Sequence, residues 1–533
     1  MTGTGRLLLL YLRRDRVVAP GWVLFLVLLV VGMVPYYGKL FPTEAARLDF
    51  VAEVGGNSAL TAFTGPLHGH GLGNLTLWKI GDIGFTLTAL MAIMSVVRHT
   101  RAEEESGRAE LVGAAVIGRF ASLTASLLLA CAVSLLTGLL TGLGMVGNGL
   151  DAPGSLTMAL AMAMPGVVFA AVAAVAAQLT VRSRSANAIA FTVLGAAYLF
   201  RFVADGGDLP WLRWLSPLGW SHLMEPFAAD RWWVAVVPLL LAAALVVVAY
   251  RLAAQRDLGA GTLPERVGAH AAAPSLRSPL ALAWRLHKGQ LFGWTAAYAA
   301  FCMATAGIAK GMPEVAKQGG AQVEEFFRRY TASPDAGLSD TFIWMVLVSL
   351  AGLATLYPML ATLRLRAEES SGRAELTLSA SVTRTSWAVS HLVFAAAGGA
   401  SAMAAGGLGA GLVYGLSMGD VGTQVPRVLG AALALVPAVW AVGAIGMLAF
   451  GLVPRLAVAV IWVVFLGQQV FGEAVGPALG IDYWVANTIV PMHHVPKILT
   501  GAAFSATPLI VLTLLALALA GIGLAAFRRR DLA

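Results

Sequence analysis

Residues Arg101 to Leu111 read RAEEESGRAEL, and residues Arg366 to Leu376 read RAEESSGRAEL, identical at ten of eleven positions. A charged segment of this length that recurs 265 residues later marks an internal duplication. Neither copy belongs in lipid, because five or six ionised side chains in eleven residues oppose burial in hydrocarbon. Whatever the segment meets is therefore met twice, in water, from two related positions, which suits a two-fold partner.

The sequence around both copies is apolar. The chain of 533 residues is 58% hydrophobic and 12% charged, with a mean hydropathy of +0.78, which excludes an ordinary soluble globule. Runs such as 17–33, 123–143, 234–250 and 509–527 approach the ~20 residues that cross ~30 Å of hydrocarbon as a helix. Period-two alternation is absent and every backbone donor in lipid needs an internal partner, so the runs read as helices. Twelve spans are expected, at 18–37, 77–97, 120–146, 156–181, 187–204, 232–251, 291–309, 341–363, 387–415, 427–451, 456–474 and 506–527. An inside N-terminus places 24 of the 36 Lys and Arg on the inner side, which puts both termini in the cytoplasm. The net charge of +8 then reflects topology, not nucleic-acid binding. Cys131 and Cys302 lie in apolar runs and read as small hydrophobes. The basic leader before the first span lacks a small-residue cleavage site after it, so a retained span is expected.

The two halves correspond beyond the charged segment. Gly21-Trp22 matches Gly293-Trp294, Arg184 matches Arg455, Pro217 matches Pro491, and Arg256-Asp257-Leu258 matches Arg530-Asp531-Leu532. Each half begins and ends on the same side, which makes the repeats parallel. The expected organisation is a first six-span repeat over 1–254, a polar and mobile linker over 255–280, and a second repeat over 281–533. The fold class is all-α membrane protein.

Glu104 and Arg108, like Glu369 and Arg373, are spaced four apart in the order that supports a helix by about 0.2–0.5 kcal/mol per pair. Arg101 and Glu105 share that spacing. Gly107 and Gly372 oppose an unbroken helix, since glycine inside one costs about 1 kcal/mol relative to alanine. The spacing predicts a helical extension of the second span of each half, a turn at Ser-Gly, and a short helix from Arg108 or Arg373. A loop serving only topology needs arginines but not the repeated glutamates, because acidic residues contribute little to orientation. A docking role accounts for both.

Charged E-E-x-G-R-A-E-L loops between the second and third of six spans, duplicated in one chain, resemble the fused membrane subunits of ATP-binding-cassette exporters. The resemblance is to the bacterial polyketide-antibiotic and multidrug efflux permeases. It implies twelve transmembrane helices as two parallel six-helix repeats in the exporter-like, type V permease architecture, in the bacterial plasma membrane. It also implies that each loop holds a coupling helix seated on an ATPase. Glu103, Glu104, Gly107, Arg108 and Glu110 would meet one copy of that subunit, and Glu368, Glu369, Gly372, Arg373 and Glu375 the other. Ser370 in place of Glu105 allows the two contacts to differ. The chain carries no G-x-x-x-x-G-K-[ST] loop, its only Gly-Lys being Gly38-Lys39. ATP and Mg therefore belong to a separate polypeptide, and the chain is expected to be no enzyme by itself. The leader Leu7 to Arg16 and its counterpart near Leu280 to Lys288 resemble the interfacial connecting helices of such proteins.

The implied cargo is an amphipathic or hydrophobic compound such as an antibiotic, moving along the second and fifth spans of each half. Phe191, Leu194 and Tyr198 align with Trp462, Phe465 and Gln469, and each set shares a helix face. Lys79 with Asp82, Arg201 with Asp205, and Glu473 fall near span ends, where snorkelling suffices for them. His68 with His70 and His493 with His494 lack a further ligand, so no metal site is expected. The Trp-rich stretches 202–233 and 473–505 suit short helices capping the far side. The alternative function is a proton-coupled secondary multidrug transporter, which needs a buried acid in mid-span. A third reading is a membrane anchor that recruits an ATPase for signalling.

Overall fold

The computed structural model describes residues 2–54, 61–62, 64–113, 117–207, 209–257, 259–263, 270–271, 273–307, 309, 312, 330–333, 336–472 and 488–531. They divide into two compact units, Met1–Gly268 and Ala269–Ala533. Among the described residues the secondary structure is helical throughout. Ten helices among the described residues are long and apolar enough to cross a membrane, and the chain is an all-helical membrane protein.

In the first unit α1 (Thr4–Arg14) precedes α2 (Val18–Leu40), α3 (Glu44–Val54), α4 (Leu72–Glu105), α5 (Arg108–Gly113), α6 (Ala121–Gly147), α7 (Ala152–Leu179), α8 (Ser183–Gly206), α9 (Pro217–Leu223) and α10 (Trp232–Gln255). The most enclosed helix is α7, which packs on α4, α6, α8 and α10. Its sequence explains this: alanine, glycine and methionine occupy all sides, so neighbours approach on every face. Asp151 caps it, Oδ2 accepting from the Gly154 amide at 2.8 Å. The tightest approach is at α6, where Gly138 and Gly142 lie against the backbone carbonyls of Ala159 and Ser155.

The second unit repeats this plan with α11 (Pro279–Ala306), α12 (Leu338–Ser370), α13 (Arg373–Leu378), α14 (Arg384–Met418), α15 (Val421–Leu452), α16 (Ala457–Gly472) and α17 (Ala506–Arg529). Here α15 takes the place of α7, packing on α12, α14 and α17. Asp420 caps it through the Thr423 amide at 3.2 Å.

Two of the twelve expected spans fall outside the ten. Of the one expected at 291–309, residues 291–306 lie in α11, where Trp294, Thr295, Tyr298 and Thr305 dilute the apolar character. The one expected at 456–474 is α16, 16 residues long and adjoining residues that are not described. The separate interfacial helix expected near Leu280 to Lys288 does not form; the segment is continuous with the rest of α11. In the first unit the chain does break, at residues 15–17, and α1 lies on α6 through Leu7 and Tyr11.

Two further expectations are corrected. The linker is not a free tether at its start: the Thr262 and Leu263 amides bond to the carbonyls of Gln178 and Leu179, both at 3.0 Å. Asp82, Arg201 and Asp205 do not snorkel but are buried together. Lys79, by contrast, is exposed. Short helices do cap the far end of the first unit, over Pro210–Leu215, Pro217–Leu223 and Trp232–Ala235. Trp211, Trp232 and Trp233 are exposed there, whereas Trp220 is buried and donates to the Trp214 carbonyl at 2.8 Å. In the second unit two short helices of the same kind, Pro491–His494 and Ile498–Thr500, are described, and Glu473 and Trp484 lie outside the described residues.

At 1.5 Å per residue, the 34 residues of α4 and the 33 of α12 reach about 50 Å, well beyond ~30 Å of hydrocarbon. The surplus carries the charged segments clear of the lipid. Gly138→Ala should lower stability by about 1–3 kcal/mol through overpacking against Ala159, read as a lower midpoint in thermal unfolding of the detergent-solubilised protein. Gly147→Ala, which meets open space, should stay within about 0.5 kcal/mol of the parent.

Candidate functional site at the repeated loops

Each repeated segment folds as expected into a helix end, a glycine turn and a short helix. Gly107 and Gly372 adopt left-handed backbone, φ 72° and 71°, which a residue with a Cβ adopts only at a cost. The chain thereby reverses within two residues and starts α5 or α13.

The charge pairing differs from the expected spacing. Glu104 and Arg108 do not pair, nor do Glu369 and Arg373. The arginine after the turn instead reaches back five residues: Arg108 Nε donates to Glu103 at 3.0 Å, and Arg373 Nε donates to Glu368 at 2.9 Å. The glycine turn breaks helical spacing, so the side chains that meet across it are five apart. Arg101 likewise pairs with Glu104 at 2.8 Å rather than with Glu105.

Glu104 and Glu369 face inward. Arg256 grips Glu104 with both terminal nitrogens, at 2.9 and 2.7 Å, and Arg530 grips Glu369 at 2.6 and 2.7 Å. Such two-pronged pairs combine charge with fixed geometry. Each gripping arginine is itself held through its carbonyl, which accepts from Arg119 in the first unit and from Arg384 in the second, both at 2.7 Å. Arg256 also donates to Gln178 Oε1 at 2.7 Å, while Arg530 lies over the rings of Phe450 and Phe527 at 4.9 and 5.2 Å. The end of each repeat is thus tied to its own loop. The repeated Arg-Asp-Leu was the signal in the sequence, but nothing in the sequence tells which carboxylate it meets.

The first loop has additional ties. Arg101 is fully buried and donates to the carbonyls of Ala177 at 2.6 Å and Ala260 at 2.7 Å. Arg14 pairs with Glu103, which joins α1 to the loop. Asp15 binds His99 Nε2 at 2.7 Å and Arg98 at 3.2 Å, and Tyr11 stacks on His99 and donates to its carbonyl at 3.1 Å. Burial pushes the Tyr11 phenol up from its ordinary value, which keeps that donor protonated. Glu105 accepts from both the amide and hydroxyl of Ser183, at 3.0 and 2.5 Å, at the start of α8. Ser370, at the equivalent place, bonds only within its own helix, to the Ala367 carbonyl at 3.4 Å.

The outward surface is what these ties leave over. Arg108, Glu110 and Leu111 are exposed on α5, and Arg373, Glu375 and Leu376 on α13. Leu111 and Leu376 are 78% and 76% exposed, extreme values for leucine, at matched positions of the two copies.

The aligned stripes keep matched environments as well. Phe191 and Trp462 are exposed on their own units, and Leu194 and Phe465 are buried in theirs. Tyr198 lies under Arg201, 4.9 Å from the ring centre, and Gln469 lines a cavity of about 70 Å³ with Gly352, Met492 and His493.

Comparison with known proteins matches the geometry. The family described as "Multidrug efflux system permease Rv1217c, C-terminal domain" matches residues 5–252 and again residues 276–528. The chain is 41% identical over 531 residues to a protein of Mycobacterium tuberculosis (strain ATCC 25618 / H37Rv) named multidrug efflux system permease protein Rv1217c, covering 99% of this chain and 95% of that one.

Removing one grip should loosen its loop. Glu104→Gln and Glu369→Gln are each expected to cost about 1.5–3 kcal/mol, the range for a hydrogen bond to a charged group. Glu104→Gln combined with Arg256→Gln should cost less than the sum of the two, as contacting residues do. Thermal unfolding together with limited proteolysis at 101–113 checks both.

Proposed function

The chain belongs to the family of the multidrug efflux system permease Rv1217c, and from that premise we propose that it is the membrane-spanning subunit of an ATP-driven exporter. In this reading it lies in a bacterial plasma membrane with both termini cytoplasmic. It docks two copies of a separate ATP-binding subunit, one on each repeated loop. The observation that carries the proposal is the pair of matched outward surfaces, each an exposed leucine flanked by a carboxylate and a guanidinium on a braced short helix. Scattered exposed leucines need no explanation, but a duplicated one on a charged segment held clear of lipid has a use as an anchor in a partner's groove.

The residues divide by role. Leu111, Arg108 and Glu110 on one loop, and Leu376, Arg373 and Glu375 on the other, meet the partner. Glu103, Glu104, Glu368 and Glu369 are positioning residues that keep each short helix rigid, and Gly107 and Gly372 set its direction. ATP and Mg are held by the partner; closure of its two copies displaces the loops, and α4 and α12 carry that displacement across the bilayer as levers. The cargo is a hydrophobic or amphipathic compound such as an antibiotic, and Phe191 and Trp462 line its route with Leu194, Tyr198, Phe465 and Gln469 behind or beside them. Aromatic and weakly polar walls accept varied shapes.

Among the described residues, buried Asp82 and Asp205 favour the proton-coupled alternative. Inside-out vesicles separate the two readings. Export predicts uptake that needs ATP and the partner and persists when the proton gradient is collapsed; uptake driven by the gradient without ATP defeats it. Leu111→Asp with Leu376→Asp should abolish co-purification of the ATP-binding subunit and reduce uptake at least about tenfold, with the chain still inserted. Each change places a charge where an apolar anchor is expected, a loss of hot-spot size, about 2 kcal/mol or more.

A further inference from the structure

The far end of α4 starts with a π-helical turn, Leu77–Gly81, and leads directly into Asp82, which is 4% exposed. Asp82 Oδ2 binds Arg201 Nη2 on α8 at 3.1 Å, and its Oδ1 lies 3.2 Å from His222 Nε2 on α9. Arg201 is fully buried, and its Nη1 holds Asp205 Oδ2 at 3.2 Å, one turn along α8. The other oxygen of Asp205 takes Arg213 from the short helix Pro210–Leu215. Two carboxylates and two guanidinium groups are thus balanced in the apolar interior and join four elements. A balanced cluster of this kind is costly to split, because either half then leaves a buried charge uncompensated.

The segment that follows α9 is strained. Glu225, Phe227 and Asp230, none of them glycine, have φ of 47°, 61° and 47°. Such conformations persist only where surrounding contacts impose them, and they gather at switch regions. The imposing contacts lead back to α4 and to the segment itself: Asn74 donates to the Phe227 carbonyl at 3.1 Å, the Phe227 ring lies against Gly73, and Arg231 pairs with Glu225 at 3.0 Å. π-turns interrupt helices mainly at functional sites. Here one lies between the segment that holds the strained loop and the residue that holds the charge cluster.

The same helix ends in Glu103 and Glu104. From Asp82 to Glu104 is 22 residues, about 33 Å at 1.5 Å per residue, helical over Asp82–His99 and again over Arg101–Glu105 with a bend at Thr100, φ −116° and ψ −85°. The second repeat does not repeat these residues: Leu347 stands at the place of Asp82 and Gly472 at that of Arg201, and the start of α12 instead carries Asp340, paired with Arg427 at 3.0 Å in a more exposed position. In their neighbourhood Gln468 bonds the Gly352 carbonyl at 3.0 Å and Thr355 Oγ1 at 2.6 Å, a neutral tie.

We propose that Asp82, Arg201, Asp205 and Arg213 form a latch over the far end of the first repeat, which displacement of the repeated loop opens through α4 so that cargo is released. They are positioning residues for the release step, and the proposal rests on the export reading. Opening exchanges the intact charge cluster for relief of the strained segment 224–231, so the closed and open states differ little in free energy and a modest pull selects between them. Release is therefore unequal in the two repeats, because among the described residues only the first holds its far end by a fully buried charge cluster.

Hydrogen exchange of the full-length chain in nanodiscs, read at residues 210–231, tests the latch without requiring transport. Asp82→Asn should speed exchange there at least about fivefold, the lower end of usual coupling between sites, and Asp82→Glu should restore most of the protection. Glu104→Gln, about 33 Å away along α4, should speed the same segment by a similar factor. Where Asp82→Asn fails to fold, Arg213→Gln at the edge of the cluster is expected to act alike. With the ATP-binding subunit present, cargo moved per ATP hydrolysed should fall at least about fivefold in Asp82→Asn. Exchange at 210–231 that ignores Glu104→Gln, or transport and exchange that both ignore Asp82→Asn, overturns the latch. Coupled exchange without ATP-driven efflux removes the export reading and leaves the latch standing.

Discussion

In each half of this chain an arginine just past the last helix takes hold of a glutamate some 150 residues earlier, with both prongs of its guanidinium group. The pair closes the repeat on itself. Its carboxylate stands at the end of a long lever, α4 or α12, so the loop beyond it is fixed in direction rather than trailing in water. Everything proposed for the loop needs that rigidity, because a surface on a limp tether transmits no force. The two arginines are kept in place differently, by Gln178 in one unit and by a cradle of Phe450 and Phe527 in the other. Recurrence of the grip with a changed support argues that the grip itself is what both halves require.

The duplication is faithful in architecture and unfaithful in charge. Both units surround one small-residue helix, α7 or α15, capped by an aspartate and packed at close range on the same set of neighbours. The first unit adds polar ties at both ends of α4: Arg14, Asp15 and Glu105 near the loop, and the Asp82 cluster at the far end. Among the described residues the second unit answers with hydroxyls, amides and the more exposed pair Asp340–Arg427, and its α11 runs straight through where the first unit breaks between α1 and α2. Since buried charges are expensive unless paired, a set of them confined to one repeat points to a task that the repeats do not share. Equal loops attached to unequal far ends suit a machine driven symmetrically and released asymmetrically.

Much of this was legible before any coordinates. Composition and run length specified a helical membrane protein; the repeated RAEE-SGRAEL specified the duplication and the site; Gly107 and Gly372 specified the turn. Each is a local property, decided by hydration of apolar side chains or by the absence of a Cβ. What misled was local spacing taken across the turn: Glu104 and Glu369 look like partners of the next arginine, yet a left-handed glycine rotates that arginine onto Glu103 or Glu368 and frees the other carboxylate to turn inward.

The sequence by itself determined the medium, the helices, the two-fold repetition and the position of the loops, because hydrophobicity and backbone permissiveness act residue by residue. Only the tertiary structure decided which charges meet. Arg256 with Glu104, Arg530 with Glu369, and Asp82 with Arg201 lie 152, 161 and 119 positions apart. Electrostatic partners in a low-dielectric interior are chosen by distance in space, and packing of the apolar helices is what sets that distance.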